Sequence, residues 1–106
     1  MLYHIVLFES RPESTPDEWD RLREAILDLP AHIAGIHSVN WGANASPEGL
    51  GQGYDQGFVM VFVDEAARDA YLPHPAHTAV IPAIQAISAR TLVFDLTGDD
   101  RSVIAL

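Results

Sequence analysis

The sequence predicts an α+β domain of the ferredoxin-like kind, βαββαβ: a four-stranded antiparallel sheet with helices packed on one face. Two observations carry this. Four short β-favouring runs, at residues 2–8, 36–41, 58–63 and 92–96, are separated by helical periodicity in that order. The first, third and fourth runs are apolar on both sides, as a sheet buried on both faces would be. One helix layer shields one side, and a bare apolar sheet face of several hundred Å² is about the limit a monomer tolerates. A second copy packed face to face, closing a dimeric α+β barrel, is the economical answer. At 106 residues the chain accommodates one domain. We divide it into a barrel domain, 1–97, and a tail, 98–106.

Each element has a local cause. In 2–8, Leu2, His4, Val6 and Phe8 share one side, while Tyr3, Ile5 and Leu7 share the other. Thr15-Pro16-Asp17-Glu18 is a helix start: Thr15 caps, Pro16 suits the first position and Glu18 completes a capping box. Trp19, Leu22, Ile26 and Leu29 recur at helical spacing, and Pro30 ends the helix. A Gly-rich loop spans about 42–57, long enough to be a candidate for function. Asp64 caps a short helix that runs through Leu72.

Pro73 and Pro75 then break the backbone around His74, which should cap a helix with Pro75 at its first position. That helix buries Ala76, Val80, Ile84 and Ile87 and is expected to kink near Pro82. The tail ends in Val103-Ile104-Ala105-Leu106, either a frayed terminus or an apolar strap across a partner.

Charge and composition narrow the function. The net charge is −9, and all six basic residues other than His are Arg. So acidic a surface repels phosphate backbones and anionic lipid, which argues against nucleic acid and membranes as partners. Without Lys there is no Schiff base, and without Cys no thiol nucleophile, disulfide or cysteine-ligated metal. The apolar start lacks a basic n-region and reads as a strand rather than a signal peptide, so a cytoplasmic address is the default expectation.

The segment Tyr71-Leu72-Pro73-His74-Pro75-Ala76-His77 is the one credible site. His77 falls in the first turn of a helix, whose partial positive charge disfavours imidazolium. A neutral imidazole accepts a proton, so His77 suits a general base. Tyr71 nearby would orient a carbonyl or stabilise an oxyanion. The structural alternative is that His74 merely caps and His77 bonds a carbonyl. His4 interrupts an apolar row, as either a satisfied core histidine or a ligand contact. We expect no metal: His74 and His77 lie three apart without a carboxylate at a diagnostic spacing. His32 and His37 read as surface residues.

His4-Ile5-Val6-Leu7-Phe8, Trp41-Gly42, Ser46-Pro47-Glu48-Gly49, Gly57-Phe58-Val59, Val93-Phe94-Asp95 and above all the Tyr71–His77 block resemble the stress-responsive A/B-barrel (Dabb) family over about residues 1–97. The resemblance implies a homodimeric α+β barrel that works without a cofactor. A plant polyketide cyclase of that family closes its substrate by intramolecular aldol condensation. By motif, the resemblance makes His77 and Tyr71 catalytic and matches His4 to a histidine of the pocket; His74 and Trp41 join His4 as candidate ligand contacts. Asp55-Gln56 departs from that enzyme's Thr-His pair, and Gln56 cannot titrate.

Three functions compete. The first is a pocket for a small hydrophobic or phenolic ligand, with cofactor-free cyclisation or isomerisation of a carbonyl or polyketide-like compound. The second is a non-catalytic stress-responsive barrel, and the third, by fold analogy, a cofactor-free oxygenase. A cavity of about 300 Å³ or more beside Tyr71 and His77 would favour the first.

Overall fold

Strand β1 (Leu2–Ser10) is flanked on both sides, by β3 (Gln56–Phe62) and by β4 (Ser88–Leu96), and β2 (Ile36–Ala43) pairs with the far side of β3. All three pairings are antiparallel and the order is β2-β3-β1-β4, the ferredoxin-like sheet expected from the sequence. The computed structural model describes residues 1–98. The strap reading of the tail falls on residues 99–106, outside the described part.

Among the described residues four α-helices, α1 (Pro16–Asp28), α2 (Glu65–Tyr71), α3 (Pro75–Thr78) and α4 (Ile81–Ile87), accompany the sheet. The α1 start is the capping box read from the sequence: Thr15 Oγ1 accepts from the Glu18 amide at 3.2 Å, and Glu18 accepts from the Thr15 amide at 3.0 Å. Such a cap contributes about 1 kcal/mol. After α1, Leu29–Ala31 tightens into a 3₁₀ turn containing Pro30. Asp64 caps α2 by accepting from the Ala67 amide at 2.8 Å.

Register decides which side chains meet. Leu2, His4, Val6 and Phe8 lie beside Phe62, Met60, Phe58 and Gln56 of β3, on the face under the helices. Trp19, Leu22 and Ile26 of α1, with Leu29, Ile33, Tyr71 and Ile87, complete a buried core there. The opposite face presents Tyr3, Ile5, Leu7, Val59, Val61, Leu92, Phe94 and Leu96, placed together by the same registers. No described helix covers it, and Phe94 is 56% exposed. The doubly apolar strands thus have one dry face and one open face.

Three boundaries differ from the sequence reading. Strand β4 starts at Ser88 rather than residue 92, because Ser88 serves two elements: its amide and hydroxyl both donate to the Ile84 carbonyl, closing α4, while its backbone is already extended. The long loop shrinks to 44–55, since Gly42, Ala43, Gln56 and Gly57 pair across β2 and β3. The helix expected to kink near Pro82 instead breaks at Ala79–Val80, with Pro82 in the first turn of α4. Proline has no amide to bond back to residue 78, and its ring excludes that carbonyl, so the interruption falls before it.

Gly35, just before β2, has φ +90, and a Cβ there would lie 2.6 Å from the Ala67 Cβ. Gly35→Ala combines left-handed backbone with overpacking against α2 and should cost about 1–3 kcal/mol in urea denaturation. Gly42→Ala, whose Cβ meets nothing within 4 Å, should change the folding free energy of the protomer by less than about 0.5 kcal/mol.

Candidate functional site

The break between α2 and α3 brings the Tyr71 and His77 rings together. Pro73 and Pro75 hold the chain out of helix for a single turn, and the rings then pack at 4.1 Å between centroids, 33° apart. His77 Nδ1 is 2.9 Å from the Leu72 carbonyl oxygen. A carbonyl only accepts, so Nδ1 carries the proton, and in the neutral ring the lone pair is on Nε2. The helix α3 is only four residues long, so its dipole contributes less than the sequence reading assumed. The carbonyl of Leu72 sets the tautomer instead.

Tyr71 is 1% exposed and packs on Phe62 at 5.0 Å. Burial pushes its phenol above the ordinary value of 10.0, so it acts as a donor near neutral pH. Its hydroxyl has no hydrogen-bond partner among the described residues, and it is not a sealed, unsatisfied group either.

His4 lies in the same aromatic layer, with its ring 5.9 Å from Tyr71, 5.9 Å from Phe62 and 6.1 Å from Phe58. The β1–β4 register sets it opposite Asp95, and its Nδ1 is 2.6 Å from Asp95 Oδ1. The other Asp95 oxygen accepts from Arg68 Nη1 of α2, also at 2.6 Å. Partial burial alone would raise the Asp95 carboxyl, but the hydrogen bonds from His4 and Arg68 outweigh it and hold the group below the ordinary carboxylate range. Neither Arg68 nor Asp95 is a candidate site residue in the sequence reading: Asp95 enters it only within the Val93-Phe94-Asp95 run of the family resemblance, and a local run says nothing about register.

The remaining candidates lie apart from this layer's centre. His74 caps α3, with Nδ1 accepting from the Ala76 amide at 3.0 Å, the capping role the spacing allowed. Trp41 stacks on Phe8 at 5.6 Å and Phe58 at 5.8 Å, so Phe58 alone links it to His4. Gln56 reaches Ser10 Oγ at 3.4 Å. On the surface His32 pairs with Asp28 at 2.9 Å.

A cavity of about 610 Å³ lies on the open sheet face, bounded by Ile5, Leu7, Val59, Leu92 and the 44–55 loop. Another of about 340 Å³ runs between α1 and α4, along Leu22, Val80 and Ala83. Neither is lined by Tyr71, His77 or His4. The loop wall of the larger one is pinned. Arg90 forks onto both Glu9 oxygens at 3.1 and 3.3 Å, lies 4.6 Å over the Tyr54 ring and donates to the Gln52 carbonyl.

Sheet order, one helix layer and an open apolar face together define a ferredoxin-like α+β protein of the A/B-barrel class. The chain belongs to the stress responsive A/B barrel domain (Dabb) family, whose model matches residues 2–97. A curated relative, the stress-response A/B barrel domain-containing protein HS1 of Arabidopsis thaliana, is 27% identical over 92 residues, 87% of this chain and 84% of that protein. A dimeric ferredoxin-like protein of unknown function from Jannaschia sp. CCS1 is 32% identical, with TM-score 0.77 over 92% of this chain and 98% of that one. Hydroxynitrile lyase from Passiflora edulis has TM-score 0.86 at 13% identity, covering 96% of each chain, and shares the backbone fold alone. Among the described residues, no helix is long and apolar enough to cross a membrane.

Retention of the Tyr71 proton has a measurable consequence. Above about pH 10 the unfolded chain loses this proton while the folded one keeps it, so stability falls as pH rises. The urea midpoint should decline between neutral pH and about pH 11, and Tyr71→Phe should flatten that decline.

Proposed function

We propose that this chain is a homodimeric A/B-barrel protein whose Tyr71–His77 pair handles a small carbonyl compound by proton abstraction. The observation that carries the reading is the tautomer of His77: with Nδ1–H donated to Leu72, the neutral imidazole offers Nε2 as a base. In the reaction, Nε2 takes a proton from the carbon next to a carbonyl. The electron pair moves onto the carbonyl oxygen, and the Tyr71 hydroxyl, kept protonated by burial, donates to the resulting enolate. In ring closure the enolate carbon attacks a second carbonyl of the same molecule, whose π bond breaks and whose oxygen takes the proton back from His77; in isomerisation His77 returns the proton to a different carbon of the conjugated enolate. The ligand class is small, hydrophobic or phenolic, in keeping with the aromatic layer of Phe58, Phe62 and Tyr71 around His4.

A second reading has its own support. Both cavities lie away from Tyr71 and His77, as in a barrel where those rings only pack. A ligand test separates the two. Aromatic and polyketide-like acids should raise the melting temperature of the wild type, and the shift should shrink in His77→Ala. Shifts indifferent to that substitution would remove His77 from the site and leave the packing role. His77→Ala should itself change the unliganded melting temperature by only a few degrees, since the ring is half-buried.

The homodimer reading rests on the open face of Tyr3, Leu92, Phe94 and Leu96 and on the dimeric Jannaschia relative. Light scattering at micromolar concentration should give twice the protomer mass, and Phe94→Asp, a charge on that face, should give the single mass. A wild-type protomer mass would refute the dimer.

A further inference from the structure

Among the described residues, one ion-pair network reaches the aromatic layer, from α2 through β4 to β1: Arg68 to Asp95 to His4. We propose that Arg68 and Asp95 are positioning residues that lock His4 as its Nδ1–H tautomer, so that Nε2 is a second hydrogen-bond acceptor at the Tyr71–His77 site. The proposal rests on the reading of that site given above and adds the residues that set its polarity.

The argument is geometric. His4 is 5% exposed and opposite Asp95 in the β1–β4 register, so the carboxylate meets the ring edge-on at 2.6 Å. An ionised carboxylate accepts and does not donate, so the ring nitrogen facing it must carry hydrogen. Arg68 occupies the other oxygen at 2.6 Å and also bonds Asp69 at 2.9 Å, which fixes the carboxylate plane from the α2 side. The other ring nitrogen, Nε2, has no hydrogen bond among the described residues, and it is not a sealed, unsatisfied atom, so it is open to a donor from outside the protein. A structural ion pair would need only two of these three groups. The third, an imidazole held at Nδ1 with Nε2 left open, is the arrangement by which a carboxylate fixes a histidine for chemistry.

The network makes Asp95→Asn informative. Arg68 offers only donors, so the new amide must turn its oxygen to Arg68 and its NH₂ to His4. Nδ1 is then forced to accept, and the proton moves to Nε2. The acceptor is lost while shape is kept.

Long-range ¹H–¹⁵N spectra of the histidine side chains read this directly. We expect His4 of the wild type as Nδ1–H and of Asp95→Asn as Nε2–H, with 4-chlorophenol, a neutral phenolic donor, bound on the order of tenfold more weakly by the variant. Wild-type His4 found as Nε2–H, or a tautomer unchanged in Asp95→Asn, would overturn the proposal without involving any ligand. So would absence of 4-chlorophenol binding to the wild type, or undiminished binding in the variant. Binding lost in His77→Ala but intact in Asp95→Asn defeats the positioning role alone and leaves the Tyr71–His77 reading standing. Binding indifferent to His77→Ala defeats that reading, while the His4 spectra still judge this one.

Discussion

One helix layer has to serve a sheet that is oily on both sides, and the rest of the structure follows from how that shortage is met. The helices go to the face carrying Leu2, His4, Val6, Phe8, Phe58, Met60 and Phe62, where large side chains interlock with α1 and Tyr71. The other face keeps smaller or more exposed groups, with Val59 and Val61 between bulkier neighbours. Because both faces are apolar, either could in principle have faced the helices. The polar residue within the β1 row decides: His4 has its partner in Asp95 and is shielded by aromatic rings only on the helix side.

The candidate site is therefore a product of strand register as much as of the helix break. The two prolines around His74 bring Tyr71 and His77 into contact, and the antiparallel pairing of β1 with β4 supplies His4 and Asp95 from opposite ends of the chain. Three rings, one carboxylate and one guanidinium meet in a layer otherwise made of Phe58, Phe62 and Met60. In such surroundings each polar contact is strengthened by the low dielectric, and each missing one is felt.

Much of this was legible in the residues, for identifiable reasons. The α1 capping box, the Asp64 cap and the His74 cap are local, and the chemistry of two to four neighbouring residues determines them. Strand faces follow from alternation, which made Leu2, Val6 and Phe8 a single row at once. Pairing between distant strands leaves no such local mark, so Arg68 and Asp95 were invisible as partners of His4. Neither did the sequence disclose that Glu9, Arg90 and Tyr54 would meet to fasten the 44–55 loop, since those residues come from three separate segments. The late estimate for the start of β4 has another cause: Ser88 ends a helix and begins a strand, and its neighbours Ala89 and Arg90 carry no strong β preference.

That shared residue leaves no turn between α4 and β4, and the register shift there already takes up one extra residue, Ala89, between the Ser10–Ser88 and Glu9–Arg90 pairs. Beyond that bulge, one more residue would rotate the edge strand by a pleat, turning Asp95 away from His4 and Leu92 and Phe94 inward together. The junction therefore works as a mechanical coupling with a single joint: a shift of α4 along its axis meets only the bulge at Ala89 before it reaches the pairing on which the His4 ring depends.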